Sequence, residues 1–261
     1  MTTDAARYGE VFAPVYDEWY SDLDDADFIA YMAHCRSEHD HLRVLELGVG
    51  TGRLVESFIA ARGHTRDEFV GIDSSASMLE RLATRHRSLP VTTVLGDMAA
   101  SLPEGPFDVV FCGYNTIFNL PDDDSLGRCL QEVARVLNRD GDFFVDMATP
   151  LDAEGVVSRG PVAVSRGGQS VLSTSTHDVN SQTVTGEFVH FVSPRDVRRY
   201  PWSIRYWTPA QFDELARQCG LHCVERVADG TGAAWAPHIS RHISRFRVAT
   251  SRGHSRILRP Q

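Results

Sequence analysis

Apolar and polar residues alternate along this chain in two different ways, and the first way covers residues 43–150. Short apolar runs predict five strands there, at 43–47, 68–72, 92–95, 107–112 and 142–148. Between these runs, apolar residues recur every three or four positions, which is the spacing of the buried face of a helix. Strands that alternate with helices form a parallel sheet that is covered on both faces. This pattern predicts the core of a doubly wound α/β fold.

A period of two replaces this pattern from about residue 151 to residue 207. The alternation predicts three strands without an intervening helix, at 171–179, 184–192 and 200–207. Thr208 and Gln211 then have the spacing of a capping box around Pro209, which indicates the start of a further helix. Two last strands are predicted at 222–228 and 239–248. We therefore expect a Rossmann-like, doubly wound, mostly parallel sheet of seven strands with a small antiparallel β insert.

The composition is that of a globular protein with one large core. The 261 residues are 42% hydrophobic, and 26 basic residues against 35 acidic ones give a net charge of −9. An acidic surface disfavours nucleic acid, whose binding needs side chains that neutralise phosphates. No apolar run approaches the ~20 residues that a membrane span requires, and the amino terminus has no apolar signal core. We expect a cytoplasmic protein with no nucleic-acid or membrane partner.

A glycine-rich turn follows the first predicted strand. Residues 46–53, with the sequence ELGVGTGR, have glycine at alternate positions, where the backbone can approach a ligand closely at the start of a helix. Dinucleotide-binding enzymes use the spacing G-x-G-x-x-G instead. A carboxylate at Glu46 would repel a pyrophosphate but would attract the ammonium and sulfonium charges of S-adenosylmethionine. The turn therefore favours that ligand over a dinucleotide.

Two further acidic residues follow the next two predicted strands. Asp73 ends the second strand, where its two oxygens could accept both hydroxyls of a ribose. Asp97 follows the third strand, where it could accept the amino group of an adenine while the backbone N–H of Met98 faces the ring. Ligands of such folds bind at the carboxyl ends of the parallel strands. Three acids at three such ends therefore predict one shared site.

In combination, these features resemble the class I S-adenosylmethionine-dependent methyltransferases. The resemblance rests on residues 46–52, Asp73, the pair Gly96-Asp97 and the strand 107–111, and it covers about residues 40–150. It implies S-adenosylmethionine as the cofactor, S-adenosylhomocysteine as the product and transfer of a methyl group. The cofactor-binding residues that it implies are Tyr16, Tyr20, Glu46, Gly48, Gly50, Gly52, Arg53, Asp73, Ser74, Met78, Gly96, Asp97, Met98 and Gly113.

A looser resemblance concerns the acceptor. The aromatic stretch 16–20, residues 114–120 and the β insert look like those of small-molecule N-methyltransferases in bacterial natural-product pathways, including enzymes that act on amino sugars and lincosamide-type antibiotics. Relatives that act on sugars often have a histidine where this chain has Asn119, so a histidine base does not carry over. The expected catalytic residues are Tyr16, Tyr114, Asn115 and Phe118.

The resemblance also divides the chain into four expected parts. An amino-terminal helical lid segment covers residues 1–42, and a cofactor-binding βα core covers residues 43–150. The antiparallel β insert, at 151–207, is expected to act as an acceptor lid. Residues 208–261 supply the last helix and strands of the core and a basic tail.

An aromatic pocket is expected around the acceptor, because a dry site lowers the pKa of an ammonium and so delivers a neutral amine. The candidates for its walls are Tyr16, Trp19, Tyr20, Tyr114, Phe118 and Trp207. For Trp19 and Trp207, packing of the first helix onto the sheet is an alternative. Asn115 could orient an acceptor by hydrogen bonds, or it could be the turn residue of its loop. His177 and His190 lie on insert strands, where they could act as a base or remain at the surface.

No metal site is predicted. His238 and His242 have the helical i, i+4 spacing of a metal pair, but the apolar residues that alternate around them predict a strand. Cys219 and Cys223 flank His222, and no second pair completes a zinc site. The five cysteines are scattered along the chain, which indicates buried thiols rather than disulfides.

The function predicted from these residues is transfer of a methyl group from S-adenosylmethionine to a small-molecule acceptor, at an amine nitrogen of an antibiotic-type metabolite. An O-methyltransferase is the alternative within the family. A nicotinamide-dependent oxidoreductase and a non-catalytic cofactor-binding subunit are the alternatives from other classes. The sequence is also compatible with a homo-oligomer.

Overall fold

The computed structural model describes residues 4–63, 66–148 and 155–249. Its helices are α1 (Asp4–Phe12), α2 (Tyr16–Trp19), α3 (Ala26–Cys35), α4 (Arg53–Arg62), α5 (Ala76–Arg85), α6 (Asp123–Val136) and α7 (Pro209–Gln218), with a 3₁₀ helix at Thr116–Asn119. Its strands are β1 (Arg43–Leu47), β2 (Glu68–Asp73), β3 (Val91–Leu95), β4 (Phe107–Cys112), β5 (Leu137–Ala148), β6 (Val156–Arg166), β7 (Gln169–Asp178), β8 (Thr183–Ser193), β9 (Asp196–Arg205), β10 (Leu221–Val227) and β11 (Arg241–Val248).

The core is a mixed sheet. Within the described residues, seven strands follow the order β10-β11-β5-β4-β1-β2-β3. β1 to β5 pair in parallel, and β11 runs antiparallel to both β5 and β10. Helices α3 and α4 cover one face, and α6 and α7 cover the other. The prediction of a Rossmann-like, doubly wound, mostly parallel sheet of seven strands is confirmed.

Burial on both faces explains why the strands appear as apolar runs. Consecutive side chains of a strand point to opposite faces. Val109 and Phe111 of β4 therefore pack with α3 and α4, whereas Val110 and Cys112 pack with α6 and α7. All four side chains are fully buried, and a strand that is buried on both sides needs an unbroken apolar sequence.

The strand boundaries of the core agree with prediction to within two residues except at the start of β5. β1 and β4 begin and end as predicted. β5 begins at Leu137 rather than at residue 142, because three exposed polar residues at 138–140 follow Leu137 and carry no apolar signal. The capping box of α7 is confirmed, since Thr208 accepts from the backbone of Gln211 and Gln211 reaches back to the backbone of Thr208.

The insert is a separate antiparallel sheet with the order β6-β7-β8-β9. β7, β8 and β9 correspond to the three predicted strands. The strand β6 was not predicted, because most of its side chains are exposed and its sequence therefore has no apolar alternation. Val156 and Val162 of β6 retain 61% and 55% of their possible exposure.

The amino-terminal helices and the insert share one apolar cluster. Phe12 of α1 and Trp19 of α2 pack with Phe188 and Tyr200 of the insert. The indole N–H of Trp19 also donates to Gln169 Oε1 at 3.2 Å. The two segments therefore form a joint cap, which is called the cap below.

Four stretches of the predicted layout lie outside the described residues, namely residues 1–3, residues 64–65, residues 149–154 around the start of the insert and residues 250–261, which hold most of the basic tail. Of the helices that the structure describes, none has the length and apolar character that a membrane crossing needs.

Candidate active site

The glycine-rich turn between β1 and α4 is held open by backbone geometry. Gly48, Gly50 and Gly52 all have positive φ values, of 73°, 54° and 90°. The backbone N–H groups of Gly48 and Val49 donate to the carbonyl of Ile72 on β2, at 2.8 and 3.0 Å. A Cβ on Gly50 would meet no atom closer than 4.0 Å, so open space lies beside this backbone. The turn thus leaves room for a ligand against its peptide groups.

Asp73 links the end of β2 to this turn. Its Oδ2 accepts from the backbone N–H of Gly50 and its Oδ1 from that of Ser75, both at 2.8 Å. Burial raises the pKa of Asp73, and these two hydrogen bonds oppose the rise. Each carboxylate oxygen keeps capacity for a further donor, such as a hydroxyl.

Glu46 is a buried acid with an unused oxygen. The residue is 2% exposed, and Oε2 has no hydrogen-bond partner among the described residues. Burial and the nearby charge of Asp73 raise the pKa of Glu46 well above its ordinary value. A buried carboxylate without a partner is unfavourable by itself, so the site is suited to a cation that would complete it.

A cleft with an empty volume of about 590 Å³ runs along the carboxyl ends of the strands. It is lined by Tyr8, Gly9, Tyr16, Gly48, Gly50, Ile72, Asp73, Ser74, Met78, Asp97, Met98, Thr116 and Asn119. A smaller cavity of about 260 Å³ adjoins it and is lined by Tyr16, Glu46, Gly48, Val49, Thr51, Arg53, Leu54, Tyr114 and Thr116. Tyr16, Gly48 and Thr116 contribute to both.

Four of the predicted cofactor-binding residues line neither space. Gly52 is the amino-terminal cap of α4, and the backbone N–H of Gly96 donates to the carbonyl of Asp73 at 2.9 Å. Gly113 is buried, and a Cβ there would lie 2.4 Å from Leu54. The ring of Tyr20 packs on that of Tyr16 at a tilt of 45°, with 4.7 Å between ring centroids. The three glycines shape the loops. Tyr20 lies behind the lining and packs on Tyr16 and Tyr114, which do line it.

Helix α1 closes one side of the cleft. The carboxylate of Glu10 accepts from Ser75 Oγ at 2.8 Å, from the backbone N–H of Ser77 at 3.1 Å and from Ser77 Oγ. These groups lie at the start of α5. A Cβ on Gly9 would come within 2.4 Å of Ser75, so glycine permits this close approach. The contact brings Tyr8 into the cleft.

Tyr8 completes a cluster of four tyrosines that the sequence analysis found only in part. Its hydroxyl lies 3.3 Å from that of Tyr20, and Tyr20 in turn packs on Tyr16 and Tyr114. Burial raises the pKa of Tyr8 and Tyr114 and raises that of Tyr16 to about 12. These phenols are therefore neutral at physiological pH and are not bases. Tyr8 and Phe12 are four residues apart and so lie on the same face of α1. This spacing is the sequence signal from which Tyr8 could have been predicted.

The loop after β4 has a strained backbone. Tyr114 and Asn115 have φ values of 51° and 59°, which are unfavourable for a bulky residue such as tyrosine and are concentrated at functional sites. Asp146 on β5 accepts from the backbone N–H of Tyr114 at 3.0 Å. Asn115 Oδ1 accepts from the backbone N–H of Ala148 at 2.7 Å. The side chain of Asn115 is thus a turn residue of its loop, and the oxygen that could have oriented an acceptor is already occupied.

Two arginines lie over the ring of Tyr114. The guanidinium groups of Arg53 and Arg241 are 5.3 and 5.8 Å from the ring centroid. Arg53 pairs with Asp25, and Arg241 forms two contacts of 2.8 Å with Asp146. Unlike Arg241, Arg53 also lines the smaller cavity. Glu46 lines the same cavity, so an acidic and a basic side chain both face this space.

The structure does not bring Phe118 to the cleft. Its side chain is 1% exposed, and its ring packs on Trp207 at 6.2 Å. In a 3₁₀ helix, residues three apart lie on the same side. Thr116 and Asn119 therefore face the cleft while Ile117 and Phe118 enter the core. Sequence reasoning chose the aromatic residue and missed its two polar neighbours.

Trp19 and Trp207 also belong to packed clusters. Trp19 is 3% exposed and lies within the cap, and the indole N–H of Trp207 donates to Asp123 Oδ1 at 2.8 Å. His177 lies 3.0 Å from the hydroxyl of Tyr206, and His190 packs on Trp19. Neither histidine lines the cleft.

Metal-binding clusters are not found in the described part of the chain, where no group of three or more His, Cys, Asp and Glu side chains is arranged to hold an ion. His242 lies on β11, so it has no helical relation to His238. Burial lowers the pKa of His242 to about 4, and the residue is neutral.

Comparison with known proteins identifies the family. Residues 44–141 match the family described as methyltransferase domain. The chain is 31% identical to the CcbJ methyltransferase from Streptomyces caelestis, with 95% of this chain and 99% of that chain covered and a TM-score of 0.80. The chain is an S-adenosylmethionine-dependent methyltransferase. No match is found among curated proteins.

More distant solved methyltransferases share the fold. The sugar N-methyltransferase KedS8 from Streptoalloteichus sp ATCC 53650 is 18% identical, with a TM-score of 0.65 and coverage of 91% of this chain and 93% of that one. CalS10, an amino pentose methyltransferase from Micromonospora echinaspora solved with bound S-adenosylmethionine, is also 18% identical, with a TM-score of 0.64 and coverage of 90% and 96%.

The cofactor of this methyltransferase is S-adenosylmethionine, which replaces the nicotinamide alternative. The site fits it. Glu46 Oε2 is a buried oxygen that lacks a partner, as the ammonium group of this cofactor requires, and the open space beside Gly50 leaves room for it.

Proposed function

We propose that this methyltransferase transfers the methyl group to the amine nitrogen of a small molecule. The observation that carries the proposal is the tyrosine cluster of Tyr8, Tyr16, Tyr20 and Tyr114. Burial raises the pKa of Tyr8, Tyr16 and Tyr114, so these phenols are neutral. Of the histidines in the described residues, none lines the cleft or the adjoining cavity, and the chain has no lysine. A hydroxyl acceptor needs a base to become a good nucleophile, whereas an amine needs only to be neutral.

The cofactor is proposed to lie along the cleft with its methionine end in the smaller cavity. Glu46 would hold the ammonium group there, and the guanidinium of Arg53 would hold the carboxylate. Asp73 would accept the ribose hydroxyls beside the turn at Gly50. Asp97, whose Oδ1 already accepts from the backbone of Ala99 at 2.8 Å, would accept the adenine amino group.

The bound cofactor supplies an electrophilic sulfonium methyl group. Methyl transfer is an in-line displacement, so the chain contributes mainly by holding the amine close and aligned and by excluding water. The buried aromatic walls lower the pKa of an ammonium, which releases its proton to solvent before reaction. The phenol oxygen of Tyr8, which lines the cleft, can accept a hydrogen bond from the amine and orient its lone pair. The methylated amine leaves as an ammonium, so the protein itself need not take up a proton.

The proposed acceptors are amines of bacterial natural-product pathways. The support is the sugar N-methyltransferase and the amino pentose methyltransferase among the fold neighbours, at 18% identity each. These neighbours guide the choice of compounds for a test. They do not identify the acceptor.

The proposal is tested with a panel of amino sugars and amino acid amides set against their hydroxyl analogues. Each compound is incubated with S-adenosylmethionine and the protein, and mass spectrometry locates the added methyl group. We expect a gain of one methyl group on nitrogen for amines and none for the hydroxyl analogues. Methylation confined to oxygen would support the O-methyltransferase alternative. Binding of S-adenosylhomocysteine without turnover of any compound would support a non-catalytic subunit.

A further inference from the structure

The inner face of the insert, which is the face that packs on the amino-terminal helices, carries polar side chains as well as apolar ones. Phe188 and Tyr200 on this face are covered by Phe12 and Trp19. Trp202 continues the same face, because it pairs across the sheet with Gly186 and packs on Phe188 at 6.2 Å between ring centroids. The absence of a Cβ at Gly186 makes room for the indole ring.

Arg166 reaches across this face from the edge strand β6. Its guanidinium carbon lies 4.9 Å from the centroid of the Phe188 ring. Its positive charge also acts on Tyr114, where it opposes the rise of the tyrosine pKa that burial causes. Arg166 is followed by Gly167, where a Cβ would collide with the backbone carbonyl of Glu18 on α2. This end of β6 therefore lies against α2, whose Tyr16 lines both the cleft and the smaller cavity, and Arg166 lies on the cap side of the proposed site.

The guanidinium of Arg166 has few partners. Two arginines on the neighbouring strand β9 are paired, Arg198 with Asp196 and Arg199 with Glu187. By contrast, Nε of Arg166 is buried without a partner among the described residues, and Nη1 donates only to the neighbouring carbonyl of Ser165, at 3.1 Å. The indole N–H of Trp202 is likewise buried without a partner.

A partly buried cation without a counter-ion is unfavourable, and a bound anion removes this penalty. Guanidinium groups bind carboxylates and other oxyanions with strong, directional hydrogen bonds. The inner face around Arg166 and Trp202 therefore offers donors to an oxygen-bearing group of a ligand that enters from the tyrosine cluster.

We infer that the acceptor carries an oxyanion, in the simplest case a carboxylate, and that Arg166 holds it while the amine lies at the tyrosine cluster. The indole N–H of Trp202 is a second donor on the same face. This inference rests on the proposed amine methylation and adds the substrate class, an amine with an acidic group. Arg166 is then a specificity-determining residue for the reaction.

The test compares probes that differ only in a carboxylate. Calorimetry measures the binding of L-leucine and of isopentylamine, and of aminomethylbenzoate and of benzylamine, to the protein saturated with S-adenosylhomocysteine. We expect the carboxylate member of at least one pair to bind about tenfold or more tightly than its partner, which is the scale of a charged hydrogen bond. Arg166→Gln should abolish this difference and leave the binding of the simple amine unchanged. Arg166→Lys should retain part of it.

Arg159→Gln is the matched control, because Arg159 is an exposed arginine on the same strand and should leave the difference unchanged. An unchanged affinity for S-adenosylhomocysteine verifies that each variant is folded. The inference is overturned if no carboxylate probe binds, if both members of each pair bind equally, or if Arg166→Gln keeps the difference. Methylation of amines is measured separately, so a failure of the proposed function and a failure of this inference are distinct results.

Discussion

At the scale of single residues, Glu46 shows how a binding site is prepared at the expense of stability. Its folded-state pKa is raised by burial, so the folded protein binds more protons at this group than the unfolded chain does. The contribution of Glu46 to stability therefore falls as pH rises above the ordinary pKa of a glutamate. The positive charge of the cofactor's ammonium group would offset this loss of stability by pairing with the ionised carboxylate of Glu46.

Glu46→Gln tests this role. Above the ordinary pKa of a glutamate, the amide should stabilise the ligand-free protein by about 1 to 3 kcal/mol, because it replaces an acid whose charge burial disfavours with a neutral side chain. It should also weaken cofactor binding by about 1.5 to 3 kcal/mol. Denaturant unfolding and calorimetry with S-adenosylhomocysteine measure the two effects. A variant that is less stable and binds as tightly as the native protein would show that Glu46 is a structural residue.

The raised pKa of Glu46 also predicts that cofactor binding depends on pH. Below its raised pKa, Glu46 is protonated in the free protein, and binding of a cation must release that proton. Affinity should therefore increase as pH rises through this range, with proton release that calorimetry in buffers of different ionisation enthalpy detects. The Glu46→Gln variant should lose this proton release.

Phe118 illustrates how aromatic character alone misleads a sequence-based assignment. Since the ring is 1% exposed against Trp207, Phe118→Ala should destabilise the protein by about 3 to 5 kcal/mol, as for other buried phenylalanines. Asn119→Ala, on the cleft side of the same 3₁₀ helix, should change stability much less. Chemical denaturation of both variants measures this contrast. Equal stability of the two variants would mean that the Phe118 ring does not contribute to the packed core and would support its predicted place in the cleft.

At the scale of elements, α1 is attached to the core through one carboxylate. Hydrogen bonds from Ser75 and Ser77 lower the pKa of Glu10, so the contact is present at neutral pH and is lost as pH falls through that lowered pKa. Because α1 carries Tyr8 over the cleft, its attachment is expected to determine how well the cofactor is retained.

Glu10→Gln should weaken this attachment. We expect a severalfold rise in the KM for S-adenosylmethionine, with a melting temperature close to that of the native protein, because Glu10 is exposed. Glu80→Gln, which removes an exposed charge elsewhere on the surface of α5, is the control. A cofactor KM that is unchanged in Glu10→Gln would mean that α1 does not retain the cofactor.

The elements also show which parts of the fold are visible in sequence. β4 is buried on both faces, so its apolar run fixes its bounds. β6 is an exposed edge strand, where pairing with β7 and not burial maintains the extended backbone, and its sequence gives no periodic signal. Residues 138–140 hide the start of β5 for the same reason.

At the scale of the whole molecule, the cleft at the carboxyl ends of the strands was predictable because its residues are adjacent to recognisable elements. Glu46, Gly50, Asp73 and Asp97 follow or end apolar strands, and the parallel sheet brings those ends together. The acceptor side depends instead on contacts between distant segments. Tyr8 enters the cleft only because α1 packs on α5 and on the insert, and no local pattern encodes that packing.

The central claim is that a neutral amine reacts in a pocket where, among the described residues, no histidine or lysine can act as its base. The most direct test is the pH dependence of kcat/KM for two amine acceptors whose free pKa values differ by about one unit. We predict that each profile rises about tenfold per pH unit up to the pKa of that acceptor and then becomes level, so that the midpoint moves with the acceptor. A midpoint that stays fixed for both acceptors would reveal a titrating base on the protein and would contradict the account.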